Sequence, residues 1–136
     1  MVDRLYILSA DDDPDDQFII KQALKELGLN VNIDFVEDGV TFVNKLIDHC
    51  MLKCPDLIML DVNMPKMNGF EALKKVKEHE VTKDVPVVVL TTADMHDFHD
   101  QCKKMGADLC LTKPASYSEF VTIIKNIVQN HLLSNS

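Results

Sequence analysis

The chain has 136 residues, the length of one ordinary domain, and 46% of its side chains are apolar, which is enough to bury a core. Intrinsic disorder and a mini-fold held mainly by disulfides are therefore excluded. The formal charge at pH 7 is −8, because 22 acidic residues outnumber 14 basic ones. Such an acidic surface repels phosphate backbones and anionic headgroups, so it disfavours direct binding to nucleic acid or to a membrane.

The amino-terminal segment is not expected to contain a secretory signal. Asp3 and the acidic block that begins at Asp11 leave no room for the apolar region of a secretory signal. No stretch of the sequence approaches the roughly 18 apolar residues of a membrane span. We therefore expect a soluble cytoplasmic protein that forms a single domain over residues 1–136, with no output domain attached.

The cysteines form no recognisable metal-binding pattern. None of them is in a CxxC arrangement, and the gap from Cys54 to Cys102 matches no zinc-finger or zinc-ribbon spacing. Cytosolic cysteines are usually reduced. We expect free thiols that pack in the interior at all four positions, which are Cys50, Cys54, Cys102 and Cys110.

Short apolar runs alternate with longer segments of helical periodicity, which predicts alternating strands and helices. All the runs except the second are nearly unbroken, as in strands buried on both faces of a parallel sheet. The second run alternates apolar with polar residues and predicts an edge strand. The predicted strands are Leu5 to Ser9, Val31 to Val36, Leu57 to Leu60, Val87 to Leu90 and Leu109 to Leu111.

The segments between the runs carry start and stop signals typical of helices. The first helix is predicted to begin at Pro14 and to end before Gly28. The last is predicted to begin with a capping box at Ser116 and Glu119. The fourth is predicted from apolar residues on one face, which are Met95, Phe98, Cys102 and Met105, with Asp94 and Asp97 near its start. The remaining two are predicted around Phe42 to Cys50 and Gly69 to Lys77.

This order of elements predicts an α/β fold with a doubly wound, five-stranded parallel sheet and helices on both faces. Ligands of such sheets bind outside the carboxyl ends of the strands. Polar residues follow four of the predicted strands. They are Asp11 and Asp12 after the first, Asp61 after the third, Thr91 after the fourth and Lys113 after the fifth. The acids farther along, Asp13, Asp15 and Asp16, are predicted to cap the first helix and to interact with its dipole.

Four segments of the chain resemble the signature blocks of the response-regulator receiver domain, the phosphoacceptor module of two-component signalling. They are, in chain order, ILSADDDPDD, PDLIMLDVNMPKMNG, VPVVVLTTAD and LCLTKPAS. The resemblance covers essentially the whole chain and implies a flavodoxin-like fold with strand order 2-1-3-4-5. It also implies that a sensor histidine kinase or a phosphotransfer protein phosphorylates Asp61, and that the bond between Lys113 and Pro114 is cis.

The chemistry of the expected pocket agrees with this resemblance. Carboxylates that converge at 4 Å repel each other by about 4 kcal/mol per pair at an effective dielectric near 20, so the pocket favours a cation. Oxygen ligands beside a phosphoryl group point to Mg²⁺. We expect Asp12, Asp61 and the backbone carbonyl of Asn63 to hold the metal, with Asp11 acting through water.

The resemblance assigns the remaining roles. Asp61 is the nucleophile, Lys113 pairs with the phosphoryl oxygens, and Thr91 donates its hydroxyl to them. Three positions depart from the family's commonest pattern, which are Thr92, Cys110 and Ala115, and Cys110 stands where an aromatic residue is common. We therefore expect the signal to leave through the backbone of residues 92–95 and the polar side of the fourth helix.

The partner expected downstream is an unidentified protein target. The apolar surface of the last helix also leaves room for a homodimer through helix 4, strand 5 and helix 5. Two other functions remain open. One is a pseudo-receiver, an interaction module that is not phosphorylated. The other is a hydrolase of the haloacid-dehalogenase type, which Asn63 disfavours because that class needs a second acid at this position.

Overall fold

The computed structural model describes residues 5–92 and 98–133. Strands and helices alternate through these ranges. The strands are β1 (Leu5–Ala10), β2 (Val31–Val36), β3 (Leu57–Asp61), β4 (Val87–Thr91) and β5 (Leu109–Thr112). The helices are α1 (Pro14–Leu27), α2 (Gly39–Cys50), α3 (Gly69–Glu78), α4 (Phe98–Lys104) and α5 (Tyr117–Val128), and α5 continues as a π-helical turn over Gln129–Leu133.

The strands form one parallel sheet in the order β2-β1-β3-β4-β5, which confirms the predicted fold. β2 lies at one edge, as its alternation of apolar and polar residues predicted. The other four strands each extend one residue beyond the predicted apolar run. As a result, Asp61 and Thr91 are the last residues of β3 and β4. Both are still paired with a neighbouring strand, Asp61 with Leu90 and Thr91 with Thr112.

Helices cover both faces of the sheet. Alternate side chains of each central strand point to opposite faces, and both sets are apolar, so each face packs against helices. On one face Leu8, Leu60 and Val89 pack with apolar residues of α2, α3 and α4. On the other face Ile7 and Met59 pack with the apolar stripes of α1 and α5. Among the described residues, no helix is long and apolar enough to cross a bilayer.

The helix boundaries follow local capping chemistry. Asp13 is the N-cap of α1 and accepts a hydrogen bond from the backbone N–H of Asp15. Gly28 ends α1 with a left-handed conformation, as predicted. At α5 Ser116 accepts from the N–H of Glu119, whereas both hydrogen bonds of a capping box occur at the start of α3. The predicted start of α4, with Asp94, Met95 and Asp97, lies outside the described residues.

The expectation of free thiols is wrong in the structure. Cys50 is bonded to Cys54, and Cys102 is bonded to Cys110. The second bridge joins the buried face of α4 to β5, with the two Cα atoms 6.3 Å apart. A sequence separation of 8 fits no common cysteine motif, so only the packing of α4 on the sheet brings this pair together.

The Cys102–Cys110 bridge should contribute measurably to stability. A cross-link that closes a loop of this length stabilises a protein by about 2.5 kcal/mol in the chain-entropy account. The Cys50→Ser/Cys54→Ser variant keeps only the Cys102–Cys110 bridge. In this variant we expect dithiothreitol to lower the free energy of unfolding in urea by about that amount. Alkylation of both remaining cysteines in unreduced, denatured protein would contradict the pairing.

Candidate functional site

Polar residues at the carboxyl ends of the strands meet in one pocket. Asp11, which follows β1, and Lys113, which follows β5, are buried, as are Asp61 and Thr91. The strand order explains the convergence, because β1, β3, β4 and β5 are consecutive neighbours and end at the same edge. Asp12, the next residue after Asp11, is exposed and lies at the rim.

The ammonium of Lys113 is the centre of the pocket. Its Nζ lies 3.0 Å from Oδ2 of Asp11, 2.9 Å from Oδ2 of Asp61 and 2.5 Å from Oδ2 of Asp16. Only 3% of the lysine side chain is exposed. A primary ammonium has three N–H donors, so these carboxylates satisfy all of them. The pocket is therefore an ion-paired network held by residues far apart in the sequence.

The backbone orients the carboxylates of β1 and β3. The second carboxylate oxygen of Asp11, Oδ1, accepts a hydrogen bond of 2.9 Å from the backbone N–H of Asp13. The backbone carbonyl of Asp11 accepts a hydrogen bond of 2.8 Å from the side-chain amide of Gln17. Oδ1 of Asp61 accepts a hydrogen bond of 3.0 Å from the N–H of Asn63. Both oxygens of Asp61 are therefore engaged, one with Asn63 and the other with Lys113.

The β4 and β5 ends are joined by their backbones. The N–H of Lys113 donates to the carbonyl of Thr91 over 2.7 Å, directly after the Thr91–Thr112 pair that ends the ladder. The expected cis bond before Pro114 is wrong, because the described residues contain only trans peptide bonds. The lysine reaches its carboxylate partners with the trans geometry, which is also the intrinsically preferred one.

The loop from β3 to α3 packs directly against the end of β3. Gly69, the first residue of α3, is close enough to the strand that a Cβ there would lie 2.5 Å from the carbonyl oxygen of Asp61. The N–H of Gly69 also donates to the carbonyl of Val62 over 3.0 Å. A glycine is needed here because any side chain would push the loop away from Asp61. Asn63, within this loop, is exposed.

Part of the pocket has the character of a cation site. One carboxylate oxygen from each of Asp11, Asp12 and Asp61 lies within 4.8 Å of the others. Oxygen donors of this kind fit hard divalent ions such as Mg²⁺, Mn²⁺ and Ca²⁺. The exposed position of Asp12 leaves this group open to solvent on one side. The residues present therefore fit a divalent metal.

Burial and charge shift the titration of two groups in the pocket. Burial raises the pKa of Asp11 to about 6, although the Lys113 ammonium beside it opposes the shift. Burial alone would lower the pKa of Lys113, but Asp11, Asp16 and Asp61 more than offset it and raise that pKa above its ordinary value. The lysine thus stays charged, while Asp11 gains its charge only near neutral pH.

Asp16 is the site residue that the sequence interpretation missed. It was predicted to serve the helix terminus, but Asp13 is the N-cap and Asp16 instead contacts Lys113. Side chains of a helix tilt toward its amino terminus. An acid in the third position of α1 therefore points back toward the end of β1, and this was a signal in the sequence. With Asp16 the pocket contains four acids and one lysine, a formal charge of −3.

A doubly wound sheet with carboxylates and a lysine at its carboxyl edge defines a flavodoxin-like α/β domain with an acidic ligand pocket. The model of the response regulator receiver domain matches residues 7–125, and the chain belongs to that family. Receiver domains are signalling domains rather than classical enzymes, and they interact with histidine kinases or phosphotransfer proteins. The prediction drawn from the four sequence blocks is thereby confirmed at the level of the family.

Relatives and solved structures agree with this membership. The chain is 32% identical over 127 residues to the sensor protein EvgS of Escherichia coli K12, which covers 93% of the chain. The phosphorylated cyanobacterial phytochrome response regulator RcpA has a TM-score of 0.88 and 28% identity, covering 98% of this chain and 97% of RcpA. The magnesium-bound receiver domain of the sensor histidine kinase PA1611 of Pseudomonas aeruginosa has a TM-score of 0.70 and 25% identity, covering 91% and 97%. The chain spans only 10% of the length of EvgS.

A divalent cation should stabilise the protein by relieving the repulsion among Asp11, Asp12 and Asp61. At ten times its dissociation constant, Mg²⁺ adds about 1.4 kcal/mol, which raises the melting temperature by about 5 °C. We expect Asp12→Ala to abolish this rise in a thermal melt, and Asp15→Asn, which removes an exposed acid outside the group, to preserve it. A melting temperature that does not respond to Mg²⁺, with NaCl matched for ionic strength, would contradict the cation site.

The raised pKa of Asp11 predicts a pH dependence of stability. Its folded pKa of about 6 lies above the ordinary 3.8, so the folded state binds the proton more tightly than the unfolded state. The resulting stabilisation is complete below about pH 4 and is lost as the pH rises through about 6, by roughly 3 kcal/mol. We expect the unfolding free energy of wild type minus that of Asp11→Asn, measured with EDTA, to fall by this amount.

A flat difference between pH 4 and pH 7 would show that burial does not perturb Asp11. A constant effect of the asparagine cancels, because only the slope of the difference against pH is read.

Proposed function

We propose that the protein is a phosphoacceptor switch of a two-component system that receives a phosphoryl group on Asp61. The observation that carries this proposal is the geometry of Asp61, a buried carboxylate at the end of β3 held between the Lys113 ammonium and the Asn63 N–H. Carboxylates placed close together repel one another, and such groupings are characteristic of functional sites. Membership of the receiver family supports the same role.

In the proposed reaction a carboxylate oxygen of Asp61 attacks the phosphorus of the donor. A bond forms between that oxygen and phosphorus, and the bond between phosphorus and the donor breaks, its electron pair leaving with the donor. Lys113 then pairs with the phosphoryl oxygens, and the Thr91 hydroxyl donates to them. The protein in this proposal catalyses only its own phosphorylation and dephosphorylation.

Mg²⁺ is the proposed cofactor. Asp12, Asp61 and the backbone carbonyl of Asn63 would hold it, with Asp11 acting through water. The bound ion supplies charge neutralisation for the transferred group, since phosphoryl transfer depends on positioning and electrostatics. Support comes from the grouping of Asp11, Asp12 and Asp61 and from the magnesium-bound receiver domain of PA1611.

The proposed partners are a sensor histidine kinase or a phosphotransfer protein upstream and a protein target downstream. We propose that residues 1–136 act as a single receiver domain in the cytoplasm, where phosphoryl donors derived from ATP are made. A homodimer through α4, β5 and α5 is also proposed. Leu109, Leu111 and Ile123 remain half-buried at this edge of the sheet, which leaves apolar area for a second copy.

Incubation with acetyl phosphate and Mg²⁺ tests the phosphoacceptor. We expect intact mass spectrometry to show the gain of one phosphoryl group, and Asp61→Asn to remove this gain while the circular dichroism spectrum is unchanged, because asparagine keeps the shape but lacks the nucleophile. Asp15→Asn, which removes an exposed acid close to the pocket, is the matched control and should still be phosphorylated.

A phosphoryl group found on histidine or serine would refute the assignment of Asp61. Absence of any gain in wild type, with the fold intact and Mg²⁺ bound, would instead favour an interaction module that works without phosphorylation.

A further inference from the structure

Lys113 competes with a divalent ion for part of the pocket. Asp11 and Asp61 belong both to the group that can hold a metal and to the partners of the lysine. Asp12 belongs to the metal group and is not among the three carboxylates that bind the ammonium in the described residues. Asp16 contacts the ammonium and is outside the metal group. Within residues 5–92 and 98–133, Asp16 is therefore the acid that pairs with Lys113 without also being a candidate metal ligand.

In the proposed reaction Lys113 comes to pair with the phosphoryl oxygens on Asp61, so its carboxylate contacts change. Oδ2 of Asp61 accepts from the ammonium and Oδ1 accepts from Asn63, so the ammonium already contacts one of the two oxygens that can attack phosphorus. A divalent ion bound to Asp61, and to Asp11 through water, weakens the attraction of both carboxylates for the ammonium, because two cations then compete for the same negative charges. A lysine that lost both partners would need another anion to keep it beside the reacting group.

We infer that Asp16 is a positioning residue for the phosphorylation of Asp61, because it retains the ammonium of Lys113 in the pocket when a divalent cation binds Asp61 directly and Asp11 through water. This inference rests on the proposed function. Asp16 is suited to the task, since it lies in the first turn of α1, is 9% exposed, and makes the shortest of the three contacts. Its position is set by the N-cap Asp13 and by Pro14, which begins the helix.

The first test is the affinity for Mg²⁺ measured by calorimetry without any phosphoryl donor. In Asp16→Asn the lysine has only Asp11 and Asp61 as anionic partners and competes with the ion for them, so we expect binding to weaken about tenfold. Asp15→Asn removes the same charge from the adjacent, exposed position and should weaken binding by no more than about twofold, because solvent screens it. Asp16→Glu keeps the carboxylate and should restore most of the affinity.

A second test separates positioning from simple loss of charge. In a Lys113→Met background there is no ammonium to retain, so we expect the added Asp16→Asn change to have an effect of about twofold or less on Mg²⁺ affinity. If Asp16 acted only through its negative charge, the change would weaken binding at least as much in this background as in wild type, and the inference would be overturned. The comparison of Asp16→Asn with Asp15→Asn and Asp16→Glu decides the question even if Lys113→Met does not fold.

Phosphorylation by acetyl phosphate distinguishes the two levels of proposal. We expect folded Asp16→Asn to gain the phosphoryl group more slowly than wild type at the same Mg²⁺ concentration, and Asp15→Asn to match wild type. Failure of wild type to gain a phosphoryl group would refute the proposed function. Normal phosphorylation of wild type, with equal Mg²⁺ affinity in Asp16→Asn and Asp15→Asn, would refute the role of Asp16 alone.

Discussion

The pocket depends on the ion pairs that the buried ammonium of Lys113 makes with three carboxylates. Asp11, Asp16 and Asp61 are taken out of water together, and each carboxylate would cost several kcal/mol to bury without a counter-charge. One lysine meets this demand in part, because four acids against one ammonium leave a formal charge of −3. The pocket is thus balanced enough to fold and still negative enough to attract a divalent cation.

The sheet order determines which side chain can provide that charge. Adjacent strands lie about 4.8 Å apart, so a residue at the end of β5 must reach across β4 to meet the acids of β3 and β1. Lys113 has the length for this reach, whereas Thr91, on the intervening strand, is short and leaves the path open. A parallel sheet also brings the amino terminus of the following helix to the same edge, which is how Asp16 joins the pocket.

The sheet, its order and the residues at its carboxyl edge could be predicted because they follow from local patterns and from a family resemblance. The contact between Asp16 and Lys113 was not predicted, because acids in the first turn of a helix usually serve the helix itself. The bond between Cys102 and Cys110 was not predicted either, since it depends on how α4 packs on β5. Roles that need a bound ion or a phosphoryl group, such as that of Asn63, stay predictions.

The Cys102–Cys110 bond has a mechanical consequence for this end of the molecule. Cys110 pairs with Val89 of β4, two residues before the Thr91–Thr112 pair that ends the ladder. While the bond is intact, α4 cannot slide along β5 or separate from it at Cys102. The helix and the strand are therefore held together as one covalently linked unit of the sheet. After reduction, α4 and β5 are joined only by noncovalent packing. A displacement at Thr91 can then reach α4 only through that packing.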